Sequence, residues 1–126
     1  PPVVQIGVDG EEQLTTDFRK NLSLKKLEIL VQECTTWIAC DSFFQHFCWD
    51  LGKPGIVLWG PSDPLIYGHS ENINLLKSRE YLVENQFLTW EQQPYREDIW
   101  CSPHEVLTHV TKFFPNWKPT PTLQGP

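Results

Sequence analysis

The chain has no methionine, and its ten lysines and arginines are scattered apart from the Lys25-Lys26 pair. Nucleic-acid binders normally show a basic patch. With a formal net charge of −6 and no such patch, nucleic acid is not an expected partner. An acidic chain still binds phosphate where a helix N-terminus supplies backbone N–H groups locally. No apolar run is long enough for a transmembrane segment, and no secretory signal is visible. The four cysteines, at 34, 40, 48 and 101, match no zinc or redox spacing. Cys34 and Cys48 fall on apolar helical faces and Cys40 ends an apolar run. Buried free thiols are therefore expected, which fits a reducing, cytoplasmic setting. Also missing are a G-x-S-x-G elbow, a P-loop, H-E-x-x-H and the Rossmann glycine fingerprint. Ser42 beside Asp41 is no triad, since adjacent helical residues diverge. A stand-alone hydrolase thus lacks a nucleophile motif, and no metal or cofactor is expected. There is no internal repeat. The chain opens on Pro1-Pro2 directly before a strand, as a piece of a longer protein would.

What is present is ample apolar material. Hydrophobic residues make up 40% of the 126 residues, with six tryptophans and seven phenylalanines. That length suits one domain with one core. Val3 to Gly7 reads as a buried strand, Asp9-Gly10 as a turn, and 15–21 as a short extended piece. Ser23 is an N-cap, followed by Leu24, Leu27, Leu30, Val31 and Cys34 at helical spacing. Thr36 to Cys40 is the next strand. Asp41 is the expected cap of a second helix ending near Leu51, with Gly52 after it. Gly55 to Gly60 is a third strand, nearly all apolar, and Asn72 to Leu76 a small edge strand. Residues 77–100 show no clean period. Ser102 caps a last helix that starts at Pro103 and runs to Phe114. Apolar strands alternating with helices imply an α/β fold with parallel pairing and right-handed crossovers. The domain spans residues 1–114. Residues 115–126 form a Pro-rich tail, extended or disordered.

Ligands of open α/β sheets lie beyond the carboxyl ends of the strands. Three such ends carry polar residues. At Asp41 and Ser42, the free N–H groups of a helix start attract an anion. Ser42, Gln45, His46 and Trp49 share a helical face there, so His46 is one turn from the start. The same pattern fits a plain helix cap and an ordinary histidine. Gly60, Ser62 and Asp63 lie in a sharp Pro-Gly loop that either exposes backbone donors or is simply tight. Tyr67 to His69 borders it. Glu11 and Glu12 follow the first strand and suit a ribose, or solvent.

These blocks, in this order, resemble a family. Ser23 to Cys34, Cys40-Asp41-Ser42-Phe43-Phe44-Gln45-His46, Leu51-Gly52-Lys53-Pro54, Leu58 to Pro64 and Ile99 to Val106 are similar to heptosyltransferases of the ADP-heptose:lipopolysaccharide type. These are GT-B glycosyltransferases. The resemblance covers residues 3–113. It implies a Rossmann-like parallel sheet with flanking helices, the incomplete C-terminal half of a GT-B fold. It also implies a nucleotide-sugar donor as ligand, with its diphosphate held by Asp41, Ser42 and His46. Gly60, Ser62 and Asp63 would be loop contacts, and Glu11, Glu12, Ser23 and Leu24 would lie near the nucleoside. The family's acceptor domain, with its catalytic Asp, is not in this sequence, nor is the first strand–helix unit of the C-terminal domain. No general base can therefore be assigned, and a separate N-terminal domain or partner protein is implied. Phe43 stands where the family has Gly, and its side chain hinders close backbone approach to phosphate. Two functions follow as expectations. One is the donor-binding part of a glycosyltransferase in glycan or lipopolysaccharide-type synthesis. The other is a non-catalytic interaction module that keeps the fold.

Overall fold

A computed structural model of the chain describes residues 3–87 and 95–115. In order, its elements are β1 (Val4–Gly7), β2 (Asp17–Lys20), α1 (Leu24–Glu33), β3 (Ile38–Cys40), α2 (Phe43–Asp50), β4 (Ile56–Trp59), α3 (Pro64–Tyr67), β5 (Ile73–Leu76) and α4 (Pro103–Phe113). Short 3-10 turns at Arg79–Tyr81 and Glu97–Ile99 occupy the stretch that has no sequence period. Most of the expected tail, residues 116–126, lies outside the described residues. No helix among the described residues is long and apolar enough to cross a membrane.

The fold is α/β and Rossmann-like, with parallel strands alternating with helices. β1 pairs with β2, and β3, β4 and β5 pair in that order, every pairing parallel. β4 is the innermost strand, with Ile56, Val57 and Trp59 fully buried. Val31 of α1, Trp37, Cys48 of α2, Val57 and Trp59 form one core. The edge of Trp37 meets the Phe44 ring at 5.5 Å and 87°, a favourable aromatic geometry. Its Nε1 donates to Lys53 O at 2.8 Å. A methyl at Gly55 would collide with the Trp37 ring, so only glycine lets the chain enter β4 there.

Local chemistry sets the helix ends. Ser23 Oγ accepts from Lys26 N and Ser102 Oγ from Glu105 N, as capping residues should. Gly52 follows α2 at φ 72°. Gly52 N donates to Trp49 O and Lys53 N to Cys48 O, both at 2.9 Å. This is the paired arrangement that a left-handed C′ glycine permits.

Four details depart from the sequence reading. Ser42, not Asp41, is the N-cap of α2, because the Asp41 carboxylate is held by Gln45. Gln45 accordingly leaves the polar stripe and is fully buried. β1 is half-exposed along its length rather than buried, because β2 is its only partner strand among the described residues. Cys40 is exposed with Ile38 on one face of β3. That strand lies at the edge of its sheet, and the described residues leave the face open. The cysteines are free, and burial pushes the Cys48 thiol up to about 12, which disfavours a nucleophilic thiolate.

Burial separates the strands energetically. Ile56→Ala should lower unfolding stability by about 2–5 kcal/mol. Ile38→Ala, at a side chain 45% exposed, should cost under about 1 kcal/mol. Urea unfolding of the two variants measures both, with unchanged m-values expected.

Candidate functional site

The corner between β3 and α2 is open. Ser42 and His46 are exposed and Asp41 is half-buried. Ser42 is extended, at φ −163° and ψ −179°, and makes no side-chain capping bond. The other three helices are capped by the side chains of Ser23, Asp63 and Ser102. The first-turn N–H groups of α2 thus have no capping side chain. They form the positive end of the helix dipole. Below them, Gln45 Nε2 donates to Asp41 Oδ1 at 2.6 Å. Gln45 Oε1 is buried without a hydrogen-bond partner among the described residues.

His46 reaches beyond its own helix. Its Nδ1 lies 2.7 Å from Nε2 of His69, which follows α3 in the segment leading to β5. The His69 ring stacks on Trp49 of α2 at 4.7 Å and 11°. Sequence spacing placed His46 and Trp49 on one face. It gave His69 no partner, because that contact spans 23 residues.

The end of β4 is built differently. Ser62 and Asp63 are buried. Asp63 accepts two hydrogen bonds from Arg79, at 3.1 and 2.8 Å, and one from Leu65 N at 2.9 Å. Its backbone N donates to Gln86 Oε1 at 2.8 Å, and Gln86 Nε2 donates to the carbonyls of Pro61 and Val83. Trp100 lies against Gly60, where a methyl would come within 2.7 Å of its ring. The Asp63 carboxylate and backbone N–H are therefore committed inside the protein. Arg79 and Gln86 are the partners that sequence reasoning missed.

Around the other strand ends, Glu11 and Glu12 are exposed. The Glu11 carboxylate folds over Gly7, and Glu12 O accepts from Gln5 Nε2 at 2.8 Å. Ser23 caps α1, and Leu24 is 65% exposed. Each candidate residue follows the carboxyl end of a parallel strand. Only Asp41, Ser42 and His46 share one corner, with its donors uncapped. A concavity of about 220 Å³ lies elsewhere, lined by Arg19, Leu22, Lys26, Ile29, Leu30 and Glu33. It is an open surface groove along α1 with both signs of charge. No group of three or more metal-ligating side chains occurs among the described residues.

The Arg79 guanidinium beside Asp63 holds its carboxyl below the usual carboxylate range. The native protein therefore binds fewer protons than the unfolded chain as pH falls through the acid range. The pair's stabilisation is complete above about pH 4, the ordinary Asp value, and is lost progressively below it. Asp63→Asn should flatten that acid limb, which urea midpoints measured between about pH 2.5 and 6 will show.

Compared with protein-family models, curated proteins and solved structures, the chain gives no match.

Proposed function

We propose that the chain is the donor-binding part of a nucleotide-sugar-dependent glycosyltransferase, with the donor diphosphate seated at the first turn of α2. The observation that carries this reading is the open β3–α2 corner, where an uncapped helix start and His46 converge. Such a site stabilises the departing diphosphate as charge builds on it during displacement at the anomeric carbon. The resemblance to heptosyltransferases supplies the substrate class.

Strand order adds support. A doubly wound sheet has the order 3-2-1-4-5-6, and ligands bind where the progression of strands reverses. Taking β1 and β2 as its second and third strands, and β3 to β5 as its fourth to sixth, reproduces both observed neighbour orders. The first position of that order is matched by none of the described strands. β1 and β3 each have one paired neighbour and one free edge among the described strands, as the flanks of that position should. The reversal falls at the free edge of β3, whose carboxyl end leads into Asp41.

In this reading Asp41 acts through geometry. A carboxylate repels a diphosphate, but Asp41 Oδ1 holds Gln45 and so fixes the turn. Ser42 and the following backbone N–H groups face the phosphate oxygens, and His46 donates from one turn further on. Phe43 is 60% exposed and leans on Phe47, with ring centroids 5.9 Å apart. It crowds the approach. That crowding is the one observation favouring the second reading, an interaction module that has lost its chemistry.

Calorimetric titration with ADP tests the proposal. His46→Ala and Asp41→Ala should each weaken binding about tenfold or more. Asp41→Asn, which keeps the accepting oxygen, should retain it. Phe43→Gly should tighten it. If neither alanine variant changes the affinity, the site assignment is wrong. If ADP does not bind and a protein partner is recovered, the interaction module is the better reading.

A further inference from the structure

We infer that His69 is a positioning residue for the proposed diphosphate site, fixing the ring orientation and tautomer of His46 so that its Nε2–H is the group offered to the anion. The inference rests on the reading of the α2 N-terminus given above. It adds to that site a residue from another part of the chain.

The geometry begins with the 2.7 Å separation of His46 Nδ1 and His69 Nε2. Two ring nitrogens at that distance share a hydrogen bond, so one of them carries the proton and the other accepts. The two assignments have opposite consequences. If His46 Nδ1 carries the proton, the Nε2 of a neutral His46 is a bare lone pair and repels a phosphate oxygen. If His69 Nε2 carries it, His46 Nδ1 accepts and the neutral ring must bear its proton on Nε2. Only the second arrangement makes His46 an anion donor without adding charge. A partner on one ring nitrogen setting the chemistry of the other is a general property of histidine.

His69 is itself held for this task. Its ring is stacked on Trp49 at 4.7 Å, while the two histidine rings meet edge to face at 4.9 Å and 80°. Its carbonyl accepts from Asn74 Nδ2 at 2.9 Å and from Asn72 N at 3.1 Å. Asn74 Oδ1 accepts from Nε1 of Trp59, a fully buried core residue, at 2.9 Å. A continuous path of contacts thus runs from the core through Asn74 to His69 and on to His46. The neighbouring Gly68 has no room for a side chain, since a methyl there would come within 2.6 Å of Pro64 O. The loop is therefore seated tightly before it reaches the ring.

The test combines side-chain ¹⁵N NMR with ADP titration, at about pH 8.5, above the ordinary histidine range. In the wild-type chain the His46 signals should show Nε2 protonated and Nδ1 accepting. His69→Phe keeps the stack on Trp49 and removes the hydrogen bond. It should release His46 from a single tautomer and weaken ADP binding about fivefold or more, with an unchanged melting temperature. His69→Gln, whose amide N–H reaches Nδ1, should restore much of that loss. A wild-type spectrum with the proton on His46 Nδ1 overturns the inference without need of any variant. If His69→Phe binds ADP as the wild type does while His46→Ala does not, His69 has no positioning role and the site reading stands. If the wild-type chain does not bind ADP, both fall.

Discussion

The hydrogen bond from Gln45 Nε2 to Asp41 Oδ1 determines what the first turn of α2 leaves open. An aspartate at a strand–helix junction would ordinarily turn back and cap the helix. Here its carboxylate is taken by a side chain one turn later, the cap passes to Ser42, and Ser42 makes no capping bond. The cost of burying the Gln45 amide explains why the bond persists. A buried polar group left unpaired costs about 1–3 kcal/mol, and a hydrogen bond to a charged acceptor contributes about the same. Gln45 is fully buried, so loss of the Asp41 contact would strand both ends of its amide. The arrangement keeps the donors of α2 directed outward while holding the chain beneath them fixed.

The two neighbouring strand ends show contrasting uses of similar residues. After β3, an aspartate and a serine stand at an open corner. After β4, a serine and an aspartate are buried, the aspartate is bound by Arg79 and Gln86, and Trp100 lies against Gly60. The second end is a structural knot that ties the 79–86 segment to the sheet. The first has exposed polar groups and a helix dipole with no side-chain partner. The helix start whose backbone donors lack a capping side chain is therefore the one after β3. The His46–His69 contact links that corner to the α3–β5 segment, so the site draws on more than one crossover of the fold.

Local chemistry was legible in the sequence wherever the partner lay nearby in the chain. The caps at Ser23 and Ser102, the glycine after α2 and the continuous apolar run of β4 each depend on residues a few positions apart. The β2 and β5 strands were also visible as short extended pieces. What stayed hidden depends on contacts across the fold. The exchange of Asp41 for Ser42 at the cap follows from the burial of Gln45, which periodicity placed on a polar face. The Asp63–Arg79 pair spans 16 residues and the histidine pair 23. The exposure of β1 and of the Ile38–Cys40 face of β3 depends on what packs beside and over these strands, a matter of tertiary arrangement rather than composition. The 77–100 stretch holds only short 3-10 turns among its described residues, too brief to leave a period. The sequence reading assigned free helix N–H groups to the Asp41 end and left the Gly60 loop either open or simply tight; the contacts of Arg79 and Gln86, far along the chain, decide the latter.

The claim on which the functional reading turns is that the backbone N–H groups opening α2 hold a diphosphate. Amide ¹H–¹⁵N NMR during a titration with ADP tests it most directly. The account predicts saturable shifts that are largest at the amides of Phe43, Phe44 and Gln45, as expected for donors at the start of a helix. Saturable shifts confined to another surface, such as the Arg19–Glu33 groove along α1, or no shifts at millimolar ADP, would contradict it.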